Sequence, residues 1–139
     1  METTTETNKA AVRRFNREVI AKWNEDSFKA LMDDDFINRS APEGMDNGAQ
    51  GMAYFFNELL RPAIPDIAVT IHQQLAEGDW VTTRKTISGT HQGSLLGIPE
   101  TGKSVKISVI DIVRLKNGKY MEHWGITTLP QLLAELAKA

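Results

Sequence analysis

The chain has 139 residues, a formal net charge of −2 and no cysteine. Its length predicts one domain spanning residues 1–139, large enough to bury a core without metals or disulfides. The slightly acidic charge argues against a nucleic-acid partner, because nucleic-acid-binding domains usually carry a basic face. The lack of cysteine excludes disulfides, thiolate metal ligands and cysteine nucleophiles.

The N-terminal segment, METTTETNKA, lacks the apolar centre of a signal peptide. No window approaches the roughly 18 consecutive apolar residues of a membrane-spanning helix, so no membrane partner is expected. These features predict a cytoplasmic protein. Residues 1–6 are expected to be disordered, because chain ends are ordered only where packing ties them down.

Two helices are predicted at the start of the chain. The first is amphipathic, because large apolar side chains recur at helical spacing at Val12, Phe15, Val19, Ile20 and Trp23. The second covers NEDSFKALM, residues 24–32, and is expected to be capped by Asn24 or Asp26.

A solvated turn is the simplest interpretation of the acidic run that follows, residues 33–35, and FINRS, residues 36–40, fits a brief extended piece. A third helix fits GAQGMAYFFNELLRPAI, residues 48–64. Pro62 and Pro65 close it, because proline cannot continue the hydrogen-bond ladder.

The second half of the chain changes to a period of two, which is typical of strands. Four runs show it: DIAVTIHQQLAEGDW, WVTTRKTISGTHQ, KSVKISVIDIVRL and GKYMEHWGI. A helix, TTLPQLLAELAKA, follows, with Thr128 and Gln131 at capping-box spacing and Pro130 in the first turn. Segregated helices and consecutive strands predict an α+β fold, with N-terminal helices on one face of a bent antiparallel sheet.

The segment GIPETGKS, residues 97–104, matches a phosphate-binding loop pattern. That mechanism needs a helix after the loop, so that backbone N–H groups meet the phosphates. Here a strand pattern follows, VKISVIDIVRL. We therefore interpret the match as a connection between two antiparallel strands.

The turn in LKNGKY decides which residue Asp111 faces. A two-residue loop, Asn117-Gly118, would set Asp111 opposite Trp124. A three-residue loop with Gly118 in the left-handed position would set Asp111 opposite His123. We favour the second register, because it leaves one face apolar apart from this single pair.

An Asp111–His123 pair on a concave face has two interpretations. The carboxylate can orient the imidazole and favour its protonated form, and such a histidine can move a proton to or from a carbon beside a carbonyl. Alternatively, the pair is only a satisfied polar contact in a half-buried sheet. Residue types alone do not decide between them.

The remaining polar candidates are weaker. His72 has the parity of an exposed residue, and His91 either anchors a loop or takes part in catalysis. Arg84 either reaches a ligand carboxylate or pairs with a surface acid, and we favour the surface pair. The histidines lack the spacing of a zinc site, there is no G-x-S-x-G elbow, and neither a metal nor a cofactor is expected.

Three segments together resemble the SnoaL-like polyketide cyclase (ester cyclase) family: GTHQGSLLGIPETGK, DIVRLKNGK and EHW followed by a short C-terminal helix. The resemblance implies the cone-shaped α+β fold of the nuclear-transport-factor-2-like superfamily, with a deep apolar pocket. It also implies dimers or higher oligomers, often formed through the outer face of the sheet, and a homodimer is expected.

The characterised cyclases of that family close an aromatic polyketide ring by an intramolecular aldol condensation, without cofactor or metal. Their essential aspartate aligns with Gly125, so the resemblance does not carry their mechanism over intact. A pocket histidine of the family aligns with Asp111. Asn38, His91 and His123 each match a residue of the same type in the family.

The sequence is therefore compatible with two functions. The first is a cofactor-independent acid/base enzyme, a cyclase, isomerase, hydratase or lyase, acting on a small apolar carbonyl or polyketide-like compound. Asp111 and His123 would be its catalytic pair, with Asn38, His91 and Arg84 as candidate substrate contacts. The second is a non-catalytic domain of the same fold that binds a small ligand or is structural.

Overall fold

The computed structural model describes residues 4–138. Its helices are α1 (Thr4–Arg14), α2 (Glu25–Leu31), α3 (Ala49–Ala53), α4 (Arg61–Ala63) and α5 (Leu129–Ala137), with π-helical segments at Phe15–Ile20 and Tyr54–Leu60. Its strands are β1 (Met32–Asn38), β2 (Ala68–Glu77), β3 (Trp80–Thr90), β4 (Ser104–Lys116) and β5 (Lys119–Thr127). This order confirms the predicted α+β class.

The first helix runs from α1 straight into the π-helical segment Phe15–Ile20. Val12, Phe15, Val19 and Ile20 are buried as predicted, whereas Trp23 lies beyond the helical segment and is half-buried. The segment expected to be disordered overlaps this helix. Residues 4–6 form its first turn, while residues 1–3 lie outside the described part of the chain.

The second helix, α2, is capped by Asn24, one of the two residues predicted for that position. The Asn24 side-chain oxygen accepts a hydrogen bond from the Ser27 backbone N–H at 2.9 Å. This bond satisfies one of the free N–H groups of the first turn.

The sheet is curved and open, with strand order β1-β5-β4-β3-β2. Strands β2 to β5 pair antiparallel, as predicted, whereas β1 pairs parallel with β5 at the edge. The interpretation of residues 33–35 as a solvated turn was wrong, because they belong to β1. Their ladder with β5 is irregular between Met32 and Ile37, so these acidic side chains reach solvent from an edge strand.

The hydrophobic core lies between the helices and the concave face of the sheet. Phe15 of the first helix stacks on Tyr120 of β5, with ring centroids 4.5 Å apart. Alternate residues of β4, including Val109, Val113 and Leu115, are buried against the helices. The apolar side of β4 therefore faces the core, as its period of two predicted.

The C-terminal helix α5 packs against β4, burying Leu132 and Leu136. Its predicted capping box does not form. The Thr128 hydroxyl instead accepts a hydrogen bond from the Ser108 backbone N–H at 2.9 Å, and Thr127 caps Leu129 N–H at 3.0 Å. Thr128 thus ties the helix start to the sheet.

The β4–β5 hairpin corrects the favoured register. Lys116 lies opposite Lys119, and Asn117 and Gly118 both have positive φ (54° and 75°), which is a two-residue loop. An irregularity between Arg114 and Leu115 then shifts the pairing by one residue. As a result neither predicted register holds over the whole hairpin.

Candidate functional site

Strand parity places two charged side chains on the buried, concave face of the sheet. Lys85 shares this face of β3 with Val81 and Ile87, and Asp111 shares the same face of β4 with its buried valines. Both Lys85 and Asp111 are only 4% exposed. Buried charges of this kind are stable only when they are paired.

Lys85 makes two polar contacts. Its Nζ lies 3.1 Å from Asp111 Oδ2 and donates a hydrogen bond to Asn16 Oδ1 at 2.7 Å. Asn16 is buried in the π-helical segment, and its own amide donates to the Val12 carbonyl at 2.8 Å. The first helix therefore supports the lysine from above the sheet.

His123 reaches the same carboxylate from β5. Its Nε2 lies 3.6 Å from Asp111 Oδ2, an ion-pair distance that is too long for a hydrogen bond. Because of the register shift, Asp111 lies opposite Gly125 and Val113 lies opposite His123. The structure nevertheless brings Asp111 and His123 together as diagonal neighbours on one face.

Asn38 sets the tautomer of His123. The imidazole Nδ1 lies 2.9 Å from Asn38 Oδ1, and the Ser40 backbone N–H donates to that same oxygen at 3.0 Å. Because an amide oxygen only accepts hydrogen bonds, Nδ1 must carry the proton here. With Nδ1 protonated, a neutral ring has its lone pair at Nε2, and the protonated ring, with N–H at Nε2 as well, is the form that pairs with the Asp111 carboxylate.

Opposing effects act on Asp111. Burial raises the pKa of its carboxyl, but the Lys85 ammonium and His123 outweigh burial and hold that pKa below its usual value of 3.8. The opposite effect is seen at Tyr120, where burial and the Asp111 charge raise the phenol pKa well above 10.0. Asp111 is thus an anion at neutral pH.

Gly125 gives His123 its position. A Cβ built on Gly125 would lie 3.0 Å from His123 Cε1, 3.3 Å from its Nε2 and 3.6 Å from Asp111 Cβ. The imidazole thus occupies the space that a side chain at position 125 would need. The Gly125 N–H donates to the Ser40 hydroxyl at 2.9 Å, which fixes this part of β5.

A polar cleft of about 320 Å³ opens beside Asn38. Its walls come from the end of β1 and the loop after it, including Asn38, Arg39, Pro42, Met45 and Asn47. Asn38 therefore touches both His123 and this cleft. The cleft leads from solvent to the residue that orients the imidazole.

His91 lies in the connection between β3 and β4, fully buried. Its Nδ1 lies 3.0 Å from Thr101 Oγ1, and its backbone pairs with Lys103 and Gly102 across the loop. Its Nε2 has no hydrogen-bond partner in the structure. These contacts favour the loop-anchoring interpretation of His91. This loop includes most of GIPETGKS, the segment that matches a phosphate-binding loop pattern. Strand β4 follows it, as predicted, and not the helix that phosphate binding would need.

Arg84 and His72 lie outside this cluster. Arg84 is exposed and has the opposite parity to Lys85, which places it on the outer face of the sheet. His72 is exposed, as predicted, and contacts Thr86 Oγ1 at 2.8 Å. Neither side chain joins Asp111 and His123.

Sequence reasoning missed Lys85 and Asn16. The parity of Lys85 was a usable signal, since it alternates with the apolar residues Val81 and Ile87. The contact of Asn16 with the sheet could not be predicted from the sequence, because the π-helical turn changes which side chains of the helix face the sheet.

The part of the chain from residue 4 to residue 138 contains no group of three or more histidine, aspartate or glutamate side chains placed to hold a metal ion. Within the same residues, none of the helices has the length and apolar character that crossing a membrane requires.

Solved structures match over nearly the whole chain. TsrD from Streptomyces laurentii superposes with a TM-score of 0.85 and 21% identity, covering 99% of this chain and 100% of that one. A SnoaL-like polyketide cyclase from Agrobacterium tumefaciens strain C58 superposes with a TM-score of 0.70 and 15% identity, covering 98% of this chain and 99% of that one. At such identities these likenesses establish the fold alone.

A curated relative matches a shorter segment. The aklanonic acid methyl ester cyclase of Streptomyces peucetius is 35% identical over 46 residues, which is 33% of this chain and 32% of the relative. The family model described as SnoaL-like polyketide cyclase matches much more, residues 10–136. This chain therefore belongs to the SnoaL-like polyketide cyclase family.

Proposed function

We propose that this protein is a cofactor-independent acid/base enzyme that moves a proton at a carbon beside a carbonyl group. The observation that carries the proposal is the contact between His123 Nε2 and the buried Asp111 carboxylate, 3.6 Å apart on the concave face. A histidine oriented by Asn38 and faced by a carboxylate is suited to this chemistry.

The proposed reaction has a simple balance. The Asp111–His123 pair takes the proton from the carbon, the electron pair of that C–H bond moves into the carbonyl as an enolate, and the proton returns to the product. Aldol cyclisation, isomerisation and elimination by a lyase share this first step, and hydration of an unsaturated carbonyl compound passes through the same enolate in the reverse direction. The substrate class, a small apolar carbonyl or polyketide-like compound, rests on membership of the family and on the cyclase activity named for the curated relative.

The proton-transfer groups differ from those that the family resemblance implies. Gly125 holds no side chain, so the acid of the characterised cyclases has no counterpart at that position. Asp111, on the neighbouring strand, supplies a carboxylate 3.6 Å from the imidazole instead. In this proposal Asn38 orients His123 from the cleft, and His91 acts by holding the β3–β4 loop.

The test is deuterium exchange from solvent into phenylacetone and 2-tetralone, followed by proton NMR. The wild-type protein should exchange the α-protons faster than buffer alone, and His123→Gln should lose roughly 10²-fold or more of that rate. His72→Gln, an exposed histidine on the other face, is the matched control. Exchange that is absent, or equal in wild type and His123→Gln, would exclude proton transfer on these ketones.

One observation favours the second function, a non-catalytic ligand-binding domain. The position of the family's acid holds Gly125, so no carboxylate is available there. In that case 2-tetralone would perturb the tryptophan fluorescence of the protein at saturable concentrations, while no exchange above buffer is seen. Binding with exchange supports the enzyme instead.

We also propose a homodimer formed through the outer face of the sheet. Large apolar side chains are exposed or half-exposed there, and we call them the outer apolar band: Leu75, Trp80, Ile110, Ile112, Trp124 and Ile126. The rings of Trp80 and Trp124 lie 5.4 Å apart, beside a depression of about 720 Å³ at the β2–β3 turn. A contiguous apolar surface of this kind marks an interaction site, and a second copy offers a self-complementary surface.

Light scattering after size-exclusion chromatography tests the homodimer. Wild type should elute with twice the mass of the 15.5 kDa chain, and Ile112→Lys with Ile126→Lys should elute as a monomer. Met45→Lys, which changes an exposed apolar residue away from the sheet, is the control. A wild-type monomer at high protein concentration would contradict the proposal.

A further inference from the structure

The buried ammonium of Lys85 has no part in the proposed proton transfer, yet it holds one oxygen of the carboxylate that does. Its Nζ lies 3.1 Å from Asp111 Oδ2, the same oxygen that faces His123 Nε2. Asn16 Oδ1, 2.7 Å away, fixes the ammonium from the helix side. A lysine held by two acceptors in a buried site cannot swing out to solvent without leaving both unpaired.

The two members of the catalytic pair differ in access. The Asp111 side chain is 6% exposed, and its Oδ1 is buried without a hydrogen-bond partner. The His123 side chain is 17% exposed and lies beside the cleft at Asn38. The imidazole is therefore the more exposed of the two groups, and it contacts Asn38, which lines the cleft.

We propose that Lys85 is a positioning residue that keeps Asp111 as a permanent carboxylate, so that His123 alone carries the proton. This assignment rests on the proposed function. Nε2 takes the proton from the carbon, the enolate forms, and the fixed Asp111 anion stabilises the new imidazolium until the proton returns. Nδ1 keeps its own proton on Asn38 throughout.

The groups that face Asp111 from each packed element support this division. Lys85 approaches from β3, and His123 and Tyr120 approach from β5. Asn16 approaches from the first helix and carries no charge. The phenol of Tyr120 stays neutral, since burial and the Asp111 charge raise its pKa well above 10.0. Among the residues that the structure describes, Lys85 is therefore the lysine or arginine side chain that contacts this carboxylate.

The first test needs no activity measurement. In protein labelled with ¹³C at aspartate carboxyl groups, the Asp111 signal is assigned by its absence in Asp111→Asn. As pH is lowered, the titration midpoint of this signal in wild type should lie below 3.8, the ordinary pKa of an aspartate carboxyl. Titration of the Asp111 carboxyl at or above that value in folded wild type would overturn the proposal.

The second test uses Lys85→Met and Lys85→Arg. In Lys85→Met the Asp111 carboxyl should titrate above its wild-type midpoint, because burial then acts without an adjacent ammonium. The exchange rate for 2-tetralone should fall more than about tenfold, with its acid limb moved to higher pH. Lys85→Arg keeps the charge and should restore both the titration and the acid limb towards wild type.

The outcomes separate the two proposals. Wild type that shows no ketone exchange but has the expected Asp111 titration removes the proposed function and leaves Lys85 as the residue that fixes the carboxylate. Exchange that persists in Lys85→Met with an unchanged acid limb removes the role of Lys85 and leaves the proposed function. If Lys85→Met fails to fold, as amide spectra would show, the wild-type titration and Lys85→Arg decide the question.

Discussion

The concave and outer faces of the same strands carry opposite chemistry. Along β4, Ile110 and Ile112 are exposed, while Asp111 between them is 4% exposed. Along β3, exposed Arg84 is followed by buried Lys85. Asp111 and Lys85 thus lie inside, while the residues beside them, two isoleucines and an arginine, lie outside.

Parity, and not side-chain polarity, decides what is buried along β3 and β4. The helices cover the concave face, so the side chains of that parity are buried from Val81 to Ile87 and from Val105 to Leu115, including the charged ones. The two buried charges are adjacent and of opposite sign, and Asn16 completes the set. On the outer face no helix covers the isoleucines, which leaves them available to a second copy.

The largest effect is expected on the concave face. Asp111→Ala leaves the Lys85 ammonium buried without its anion, and breaking a buried pair costs about 3–5 kcal/mol of unfolding free energy. Urea unfolding measures it, with the exposed acid Asp34→Ala as the control. The double variant Lys85→Met with Asp111→Leu should recover most of the loss, because an apolar pair replaces an ion pair. A loss below about 1 kcal/mol in Asp111→Ala would mean that the pair is not buried in solution.

A smaller, pH-dependent effect should mark the same carboxylate. Its folded pKa is lowered below 3.8, so its contribution to stability is complete above the unfolded value and is lost as pH falls through the folded value. The difference in unfolding free energy between wild type and Asp111→Asn should therefore be constant near neutral pH and shrink below about pH 4. A difference that already shrinks on going from pH 7 to pH 5 would contradict this sign.

The smallest effect is expected on the outer face. Ile126 is 81% exposed, so Ile126→Ser should change the unfolding free energy by less than about 0.5 kcal/mol when measured at low protein concentration. The same substitution should weaken self-association at high concentration. A loss comparable with that of Asp111→Ala would show that the two faces do not differ as described.

Much of the fold could be predicted because the signals are local. The helical spacing in the first helix, the cap at Asn24 and the period of two in β4 each depend on a few neighbouring residues. Of strand β1, the end at residues 36–38 was predicted as extended, but residues 33–35 could not be assigned to it, because an acidic run in an edge strand has the composition of a turn. Its pairing with β5 is also a parallel contact between distant segments.

The candidate site was only half predictable. Asp111 and His123 share a face in the structure, as the sequence indicated, but through a two-residue loop and a shifted ladder instead of direct opposition. No sequence signal locates such a shift. Lys85 was available from parity, whereas the contact between Asn16 and Lys85 depends on how the first helix lies across the sheet.

The closeness of the His123 ring to Gly125 couples these two positions in any change of sequence. Gly125→Asp alone would place a new Cβ 3.0 Å from His123 Cε1 and 3.3 Å from its Nε2, so the imidazole must give by a few tenths of an ångström before a carboxylate fits. A lineage that passes between this arrangement and one with an acid at position 125 therefore also changes the 3.6 Å distance between His123 Nε2 and Asp111 Oδ2.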